Sequence, residues 1–271
     1  MALKEQLENS GNWLFRWRSY LPLLMMGIAL IDMRRFTYLD NNYNLNLYWE
    51  ACCLIVSFAG LIIRAAVVGY VPEGTSGRNT LGQEAASLNT TGMYSIVRHP
   101  LYLGNFFIWL GISMFMRHWY VSLICTFCFW LYYERIIFAE EEFLRRKFGR
   151  EFEKWADNIP CFIPKLGKWK PPSMLFSWKK VLKDEYSGLF AIIVSFVFLD
   201  VLGTRIVLGK IKFYWEWQVL FWMGFSTYLT LRTMKKKGML EPSNKAIKPS
   251  WRSTTIISRG NTDSGGPMSS R

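Results

Sequence analysis

The stretch LFAIIVSFVFLDVLGTRIVL, residues 189–208, decides the fold class, because it is an apolar run in which Asp200 and Arg205 are the only charged side chains. A second run, ACCLIVSFAGLIIRAAVVGYV at residues 51–71, holds one charged residue, Arg64. About 20 consecutive apolar residues, rising 1.5 Å each, cross a hydrocarbon layer roughly 30 Å thick. Both runs therefore predict transmembrane helices.

Four further apolar runs complete a predicted set of about six spans. Arg117 and His118 separate two uncharged runs, which predicts a helical hairpin. The first run is short for a span unless its helix extends back through Trp13 and Phe15, and the last holds Glu216 near its start. The sequence thus predicts an all-α, polytopic membrane helical bundle. These four runs are residues 21–31, 101–116, 119–133 and 213–231.

The net charge of +13 suggests nucleic-acid binding, but the basic residues lie beside the predicted spans. Ten Lys and Arg residues between 145 and 180 follow the fourth span, and Lys235 to Lys237 follow the sixth. Such residues mark the cytoplasmic side of a membrane protein and bind anionic headgroups. We therefore expect membrane lipids rather than nucleic acid as partners. Both termini and the loops at 72–98 and 140–185 are predicted to be cytoplasmic, in a bacterial inner membrane or the endoplasmic reticulum.

The cysteines and histidines predict neither a disulfide framework nor a metal site. Cys125 and Cys128 have C-x-x-C spacing, but they lie inside an apolar span and are interpreted as small packing residues. The chain has two histidines, His99 and His118, and neither has a Cys or His partner at ligand spacing. We therefore expect no bound metal.

The chain divides into four predicted segments. Residues 1–71 form an N-terminal transmembrane pair, and residues 72–170 form a catalytic core with a polar loop, a helical hairpin and an amphipathic helix. Residues 171–239 form a C-terminal transmembrane pair. Residues 240–271 are rich in Ser, Thr, Gly and Lys, which predicts a disordered tail.

The stretch GMYSIVRHPLYLG, residues 92–104, places Arg98, His99 and Pro100 where a polar loop enters a predicted span. Proline suits the first turn of a helix, so Arg98 and His99 are expected at a helix N-terminus near the membrane interface. Free backbone N–H groups and the positive end of the helix dipole favour an anionic ligand there. From position alone, anchoring of the span at the lipid headgroups is the stronger explanation.

A second feature favours a site. The fourth span continues into a charged helix, on which Glu140 has apolar neighbours three and four residues away. Arg135 also has apolar neighbours, and charges at membrane depth mark functional sites by default. Arg135 and Glu140 lie about 140° apart around the helix, so each needs a partner elsewhere. Arg98 or a cationic ligand group is a suitable partner for Glu140.

The two acidic residues after Glu140 have an ordinary explanation. Glu141 and Glu142 lie four residues before Arg145 and Arg146. Side chains at this spacing are neighbours on a helix surface and form solvated ion pairs. The sequence therefore predicts that Glu141 and Glu142 lie on the exposed face.

Together these features resemble the isoprenylcysteine carboxyl methyltransferase family of membrane methyltransferases, which also includes bacterial lipid methyltransferases. The resemblance runs from residue 79 to residue 164. It rests on R-H-P-x-Y-x-G at 98–104, E-E-x-x-L-x-x-x-F-G at 140–149, F-G-R-E-F-E-K-W at 148–155 and I-P-x-F-I-P at 159–164. The order and spacing of these motifs carry the resemblance.

The resemblance implies a binding site for S-adenosylmethionine (SAM) without a Rossmann fold, and no G-x-G-x-x-G motif follows a predicted strand. The chain departs from the pattern of animal members at residues 86–89, where Ala-Ser-Leu-Asn replaces a His-Glu-Leu run. Arg135 matches the family's acceptor-side arginine only with a shift of one residue. These departures concern the acceptor more than the cofactor. The positions that match cofactor-contacting residues are Leu88, Asn89, Tyr94, His99, Pro100, Tyr102 and Glu140.

The predicted function is methylation of an anionic oxygen on a membrane-embedded lipid or prenylated acceptor. A carboxylate or phosphate is already ionised at neutral pH, so it needs a cation to hold it rather than a general base. We assign Arg135 to this catalytic role first and Arg98 second. The prenylcysteine carboxylate and a lipid phosphate both fit. Methylation of an amine headgroup is a third version, and it would require a base.

Two functions of other classes stay open. An NADPH-dependent membrane reductase of the sterol type shares the R-H-P-x-Y element, but the short chain and the E-E-E and F-G-x-E-F motifs favour the methyltransferase. A non-catalytic lipid-binding or assembly protein would leave Glu140 and Arg135 on apolar faces without a reason. The sequence does not define the oligomeric state or a role for Asp200.

Overall fold

The computed structural model describes residues 2–18, 20–72 and 85–241. These residues form helices and loops, and their backbone pairing outside helices includes one antiparallel bridge between Gly92 and Lys170. The all-α prediction is confirmed. The predicted disordered tail lies outside the described residues from residue 242 onward.

The described residues form eight α-helices. The first predicted span does not extend back through Trp13 and Phe15, because α1 ends at Arg16 and a separate helix begins at Leu21. The predicted hairpin turn at Arg117 and His118 is confirmed, with Arg117 at a φ of 60°. The helices are α1 (Leu3–Arg16), α2 (Leu21–Asp32), α3 (Tyr43–Tyr70), α4 (Pro100–Met114), α5 (Trp119–Phe148), α6 (Arg150–Ala156), α7 (Trp178–Leu208) and α8 (Trp215–Lys236).

Three of the described helices, α3, α5 and α7, are long and apolar enough to cross a membrane. Helix α4 is apolar but has 15 residues, so it is about 22 Å long. Helices α2 and α8 occupy two other predicted spans. The structure is therefore that of a helical membrane protein with three candidate spanning helices in its described part.

Close packing of α3 on α4 depends on glycine. A Cβ atom added to Gly60 would lie 2.4 Å from the carbonyl oxygen of Gly104, and one added to Gly111 would lie 2.3 Å from Oγ of Ser57. Small residues let helix backbones approach closely in membranes. The two helices run antiparallel, so the end of α3 lies beside the start of α4.

Helix α1 packs on the second half of α5. A Cβ atom added to Gly11 would lie 2.1 Å from the carbonyl oxygen of Arg135 and 2.8 Å from Cβ of Ala139. Lys4 on α1 also contacts Glu142 on α5, with 2.8 Å between Nζ and Oε2. At 30 residues, α5 is about 45 Å long, which exceeds a hydrocarbon layer of about 30 Å. Helix α5 is therefore longer than a span requires, and α1 packs along its second half.

A buried polar cluster lies where α3 starts and α7 ends. Asn46 donates a hydrogen bond to Glu50 over 2.6 Å, and Tyr38 donates one to Thr204 over 2.9 Å. Asp200 is 1% exposed, and neither of its carboxylate oxygens has a hydrogen-bond partner among the described residues. This cluster is at the opposite end of the bundle from the start of α4.

Candidate active site

The loop that leads into α4 is fixed by backbone contacts with the segment after α6. Gly92, at a φ of 60°, donates its N–H to the carbonyl of Lys170 over 3.0 Å. The N–H of Lys170 in turn donates to Oγ of Ser95 over 2.8 Å. Further along, the N–H of Arg98 donates to the carbonyl of Pro160 over 2.9 Å. The approach to α4 and the segment around residue 160 therefore form one structural unit.

His99 is the residue at the N-terminal cap of α4, and Pro100 is the first residue of the helix, as predicted. The carbonyl of His99 accepts hydrogen bonds from the N–H groups of Tyr102 and Leu103, both over 3.1 Å. His99 is 6% exposed. The start of the helix therefore holds the imidazole inside the protein, next to Tyr102 one turn on, whose ring stacks on it.

Two adjacent carboxylates of α5 contact this imidazole from either side. Nδ1 of His99 lies 3.6 Å from Oε2 of Glu140, and Nε2 lies 3.0 Å from Oε1 of Glu141. Tyr102 donates its hydroxyl to Glu140 over 2.8 Å. Arg98 donates from Nη1 to Glu141 over 3.0 Å. The group of Arg98, His99, Tyr102, Glu140 and Glu141 is called the carboxylate cluster below.

The carboxylates control the charge of the imidazole. Burial alone lowers the pKa of His99, but hydrogen bonds and charge interactions with Glu140 and Glu141 outweigh it and raise the pKa to about 8. Both ring nitrogens of a protonated imidazole are donors, which matches a carboxylate on each side. At neutral pH the imidazole is therefore protonated and carries a positive charge between the two acidic side chains.

Tyr94 lies at the edge of the carboxylate cluster. Its backbone carbonyl accepts a hydrogen bond from Nε1 of Trp155 over 3.1 Å, which ties it to α6. Burial raises the pKa of Tyr94, and the charge of Glu140 raises it further. The phenol of Tyr94 is therefore neutral at physiological pH.

A polar network lies behind the cluster and explains the single charge of the second predicted span. Arg64 on α3 donates from Nε and Nη2 to the carboxylate of Glu185 on α7, over 2.9 and 2.7 Å. Arg64 also donates to Asn105 over 2.7 Å, and Asn105 donates to the hydroxyl of Tyr133 over 2.9 Å. The rings of Tyr133 and Tyr102 lie 4.7 Å apart. Helices α3, α4, α5 and α7 are thereby joined next to the site.

The structure brings some of the predicted site residues together and not others. Tyr94, His99, Pro100, Tyr102, Glu140 and Arg98 lie at or beside the cluster. Leu88 and Asn89 are partly exposed in the loop before Gly92, outside the set of contacts that defines the cluster. Arg135 is exposed and donates to Oγ of Ser10 on α1 over 3.2 Å. The face of α5 that carries Arg135 is therefore the one that meets α1.

Glu141 is the main site residue that the sequence did not predict. It was expected to pair with Arg145 on the exposed face, whereas in the structure it contacts Arg98 and His99 and its side chain is 16% exposed. Glu142 does pair with Arg145, one residue closer than expected, but it is 5% exposed, so its predicted place on the exposed face is wrong because α1 covers it. Helix spacing offered Glu141 a nearby partner in Arg145, so the spacing gave no reason to expect its contact with His99, 42 residues away. The E-E pair of the family motif was the available signal.

Comparison with known proteins supports the family predicted from the motifs. Residues 49–151 match the model of the phospholipid methyltransferase family. The chain is 37% identical over 78 residues to protein-S-isoprenylcysteine O-methyltransferase of Schizosaccharomyces pombe, which covers 28% of this chain and 33% of that protein. The predicted family resemblance is confirmed. The matched methyltransferase region contains α4, α5, most of α3 and every residue of the carboxylate cluster.

Other relatives of this region include a second methyltransferase and a metal resistance protein. A probable protein-S-isoprenylcysteine O-methyltransferase of Oryza sativa subsp. indica is 31% identical over 126 residues, 43% of this chain and 63% of the relative. The nickel-cobalt-cadmium resistance protein NccN of Alcaligenes xylosoxydans xylosoxydans is 35% identical over 92 residues, 34% of this chain and 43% of the relative. The chain thus spans between 33% and 63% of the length of these relatives. No solved structure matches it significantly.

Proposed function

We propose that this protein is a SAM-dependent O-methyltransferase that acts on an anionic group of a membrane-embedded lipid or prenylated acceptor. The observation that carries the proposal is the convergence of His99, Tyr102 and Glu140 on one point of the methyltransferase region. These residues come from the loop before α4, from α4 itself and from the far end of α5. Relatives named as isoprenylcysteine O-methyltransferases support the same reaction class.

The residues of the cluster fit SAM chemically. When bound, SAM supplies an electrophilic methyl group on a cationic sulfonium centre and also carries an ammonium group. Carboxylates and aromatic rings are the protein groups that attract such cations. The side chain of Glu140 is 31% exposed, so a ligand reaches it, whereas His99 is buried and orients it. We propose that Glu140 binds the ammonium group and that Tyr94 and Tyr102 supply aromatic surface for the cofactor.

An anionic acceptor needs a cation at the site. Of the two arginines predicted for this role, Arg98 is the one in the carboxylate cluster, and its side chain is 20% exposed. We therefore propose Arg98 as the residue that holds the acceptor, with Arg135 as the second choice because it lies on the α1 side of α5. Holding an already ionised oxygen in line with the methyl group supplies rate by orientation. The relatives named as isoprenylcysteine O-methyltransferases favour a prenylcysteine carboxylate, whereas the name of the matched family model favours a phospholipid headgroup.

The membrane arrangement follows from the same proposal. We propose that α2, α4 and α8 join the three candidate spans to give six, with both termini in the cytoplasm. The site then lies at the cytoplasmic interface, beside the basic residues of the last turn of α5. SAM would enter from the cytoplasm and the acceptor laterally from the bilayer.

Calorimetric binding of S-adenosylhomocysteine to the full chain in detergent tests the cofactor assignment. We expect micromolar binding that is lost in Glu140→Gln and His99→Ala. Glu134→Gln is the matched control, since Glu134 lies on the same helix but is exposed. Binding of NADPH instead would favour the reductase, and equal binding by all variants would reject the site.

A second experiment identifies the acceptor. Radiolabelled SAM would be supplied with a farnesylated cysteine, a phosphorylated lipid or phosphatidylethanolamine in separate reactions. We expect transfer to the farnesylated cysteine, with Arg98→Gln raising KM for that acceptor more than it changes the affinity for S-adenosylhomocysteine. Transfer only to phosphatidylethanolamine would replace the carboxylate proposal with amine methylation.

A further inference from the structure

Three side chains of different chemistry meet on one side of the carboxylate cluster. One ligand atom each of His99, Glu141 and Cys161 lies within 4.8 Å of the other two. His99 comes from the start of α4, Glu141 from the last turns of α5, and Cys161 from the segment after α6. The backbone bond from Arg98 to Pro160 holds the residue before Cys161 against the residue before His99. We propose that His99, Glu141 and Cys161 bind one divalent cation of the zinc class.

The donor set specifies the class of cation. Thiolate, imidazole and carboxylate are the three side chains that bind zinc in proteins, at about 2.0–2.3 Å from the metal. Magnesium and calcium prefer sites made of oxygen ligands, so a site that includes the thiol of Cys161 and the imidazole of His99 disfavours them. Cobalt(II) and cadmium(II) share the tolerance of zinc for mixed sulfur, nitrogen and oxygen ligands. Three protein ligands leave a fourth position of a tetrahedral site open.

The ring nitrogen of His99 that does not face Glu141 is Nδ1, and it faces the carboxylate of Glu140, an arrangement common in metal-binding histidines. Such a histidine turns its other ring N–H toward a carboxylate, which fixes the ring and its tautomer. Nδ1 of His99 lies 3.6 Å from Glu140, and Glu140 is itself held by the hydroxyl of Tyr102 at 2.8 Å. Nε2 then points to Glu141 at 3.0 Å, on the side where Cys161 lies. The imidazole is therefore oriented with Nε2 available to a cation shared with Glu141.

Arg98 opposes the cation. Its guanidinium contacts both carboxylate oxygens of Glu141 at 3.0 Å, so its positive charge would lie close to the metal. A cation and Arg98 therefore compete for Glu141. Arg98→Gln removes the competing charge and should therefore tighten metal binding. If the substitution acted only by disturbing the structure around Glu141, metal binding should become weaker.

Cobalt(II) titration of the chelator-treated full chain in detergent tests this site without any methyl transfer. We expect one equivalent of cobalt to give the absorption of a tetrahedral cobalt–thiolate complex, and zinc or cadmium to displace it. The thiolate band should be lost in Cys161→Ala and kept in Cys128→Ala, a matched control because Cys128 is partly buried on α5 and lies about 18 Å along the helix from Glu140. Glu140→Gln should weaken binding by about tenfold or more, as the loss of an outer carboxylate does.

Thermal unfolding of each variant shows that it is folded, and Cys161→Ser provides a second variant if Cys161→Ala is unstable. A thiolate band that persists in folded Cys161→Ala, or that is absent from wild type, would overturn the proposal. Weaker cobalt binding by Arg98→Gln than by wild type would also contradict it. Because the readout is the cobalt spectrum, failure here leaves the methyltransferase proposal untouched, and failure to bind S-adenosylhomocysteine leaves the metal site untouched.

Discussion

At the residue scale, the charge of His99 is controlled by Glu140 and Glu141 and makes stability depend on pH. The pKa of His99 is raised from 6.5 to about 8 in the folded protein. The folded state therefore binds the proton more tightly than the unfolded state, and the stabilisation is fully present below about pH 6.5. It is lost as the pH rises through about 8. A shift of this size corresponds to roughly 2 kcal/mol.

We expect the free energy of unfolding of the chelator-treated protein to fall by about 2 kcal/mol between pH 6 and pH 9 because of His99. His99→Gln removes the titrating group and should flatten this part of the profile. Thermal unfolding in detergent across that pH range measures both proteins. If the free energy of unfolding of wild type and of His99→Gln changed with pH in the same way, protonation of the His99 imidazole would not contribute to stability and the prediction would be wrong.

The carboxylate cluster was predictable from the sequence only in part. The helix-starting proline placed His99, and apolar neighbours on α5 identified Glu140, since both are local signals. Glu141 and Cys161 were not predicted, because their partners belong to other segments. Helix spacing alone offered Glu141 the nearby Arg145, and nothing in the sequence near Cys161 indicated a histidine 62 positions away that the fold brings close. Packing of α5 on the start of α4 determines the partners of Glu141, and packing of the segment after α6 at the same place determines those of Cys161.

At the element scale, the helices that the sequence predicted best are those with long apolar runs. The continuation of the fourth span into the charged helix is confirmed, and α5 ends where Gly149 takes a φ of 54°. The separation of α1 from α2 was not predicted, because a short amphipathic helix beside an apolar run looks like its extension. Its place along α5 depends on Gly11, which is a tertiary feature.

The contact between α3 and α4 gives the element-scale prediction. A Cβ atom at Gly60 would lie 2.4 Å from the carbonyl oxygen of Gly104 and 2.8 Å from the backbone N of Ile108. Backbone atoms cannot rotate away, so Gly60→Ala must separate the helices. We expect it to lower the free energy of unfolding by about 1–3 kcal/mol, as overpacking does, and to weaken S-adenosylhomocysteine binding by displacing the start of α4.

Gly27→Ala is the control for this substitution. Gly27 also lies within a helix, but an added Cβ atom would meet nothing within 4 Å. Alanine is the better helix former, so this variant should be neutral or more stable by up to about 1 kcal/mol. Thermal unfolding and calorimetry on both variants separate the steric effect from helix propensity. Equal stability of the two variants would show that α3 and α4 do not pack at Gly60.

At the scale of the whole molecule, the helical bundle has a cluster of polar side chains at each end, and the two clusters differ in how completely their charged groups are hydrogen-bonded. At the α4 end, the charges of Arg64 and Glu185 satisfy each other, and the carboxylate cluster is partly exposed. At the other end, Asp200 is buried, and neither carboxylate oxygen has a hydrogen-bond partner among the described residues. A buried ionised carboxylate without partners is costly. Asp200 therefore reduces the stability of the bundle, whereas the Arg64–Glu185 pair joins its helices.

We expect Asp200→Asn to raise the free energy of unfolding by about 1 kcal/mol at neutral pH, because it replaces a buried ionisable carboxyl group with a neutral amide at nearly constant volume. Asp157→Asn, at an exposed position after α6, should change it by less than about 0.5 kcal/mol. Binding of S-adenosylhomocysteine should be the same in both variants, since Asp200 lies at the end of the bundle away from the cluster. A lower unfolding midpoint for Asp200→Asn would instead mean that a cation or a hydrogen-bond donor binds this carboxyl group in the membrane. Asp200 would then stabilise its end of the bundle, as the Arg64–Glu185 pair stabilises the other.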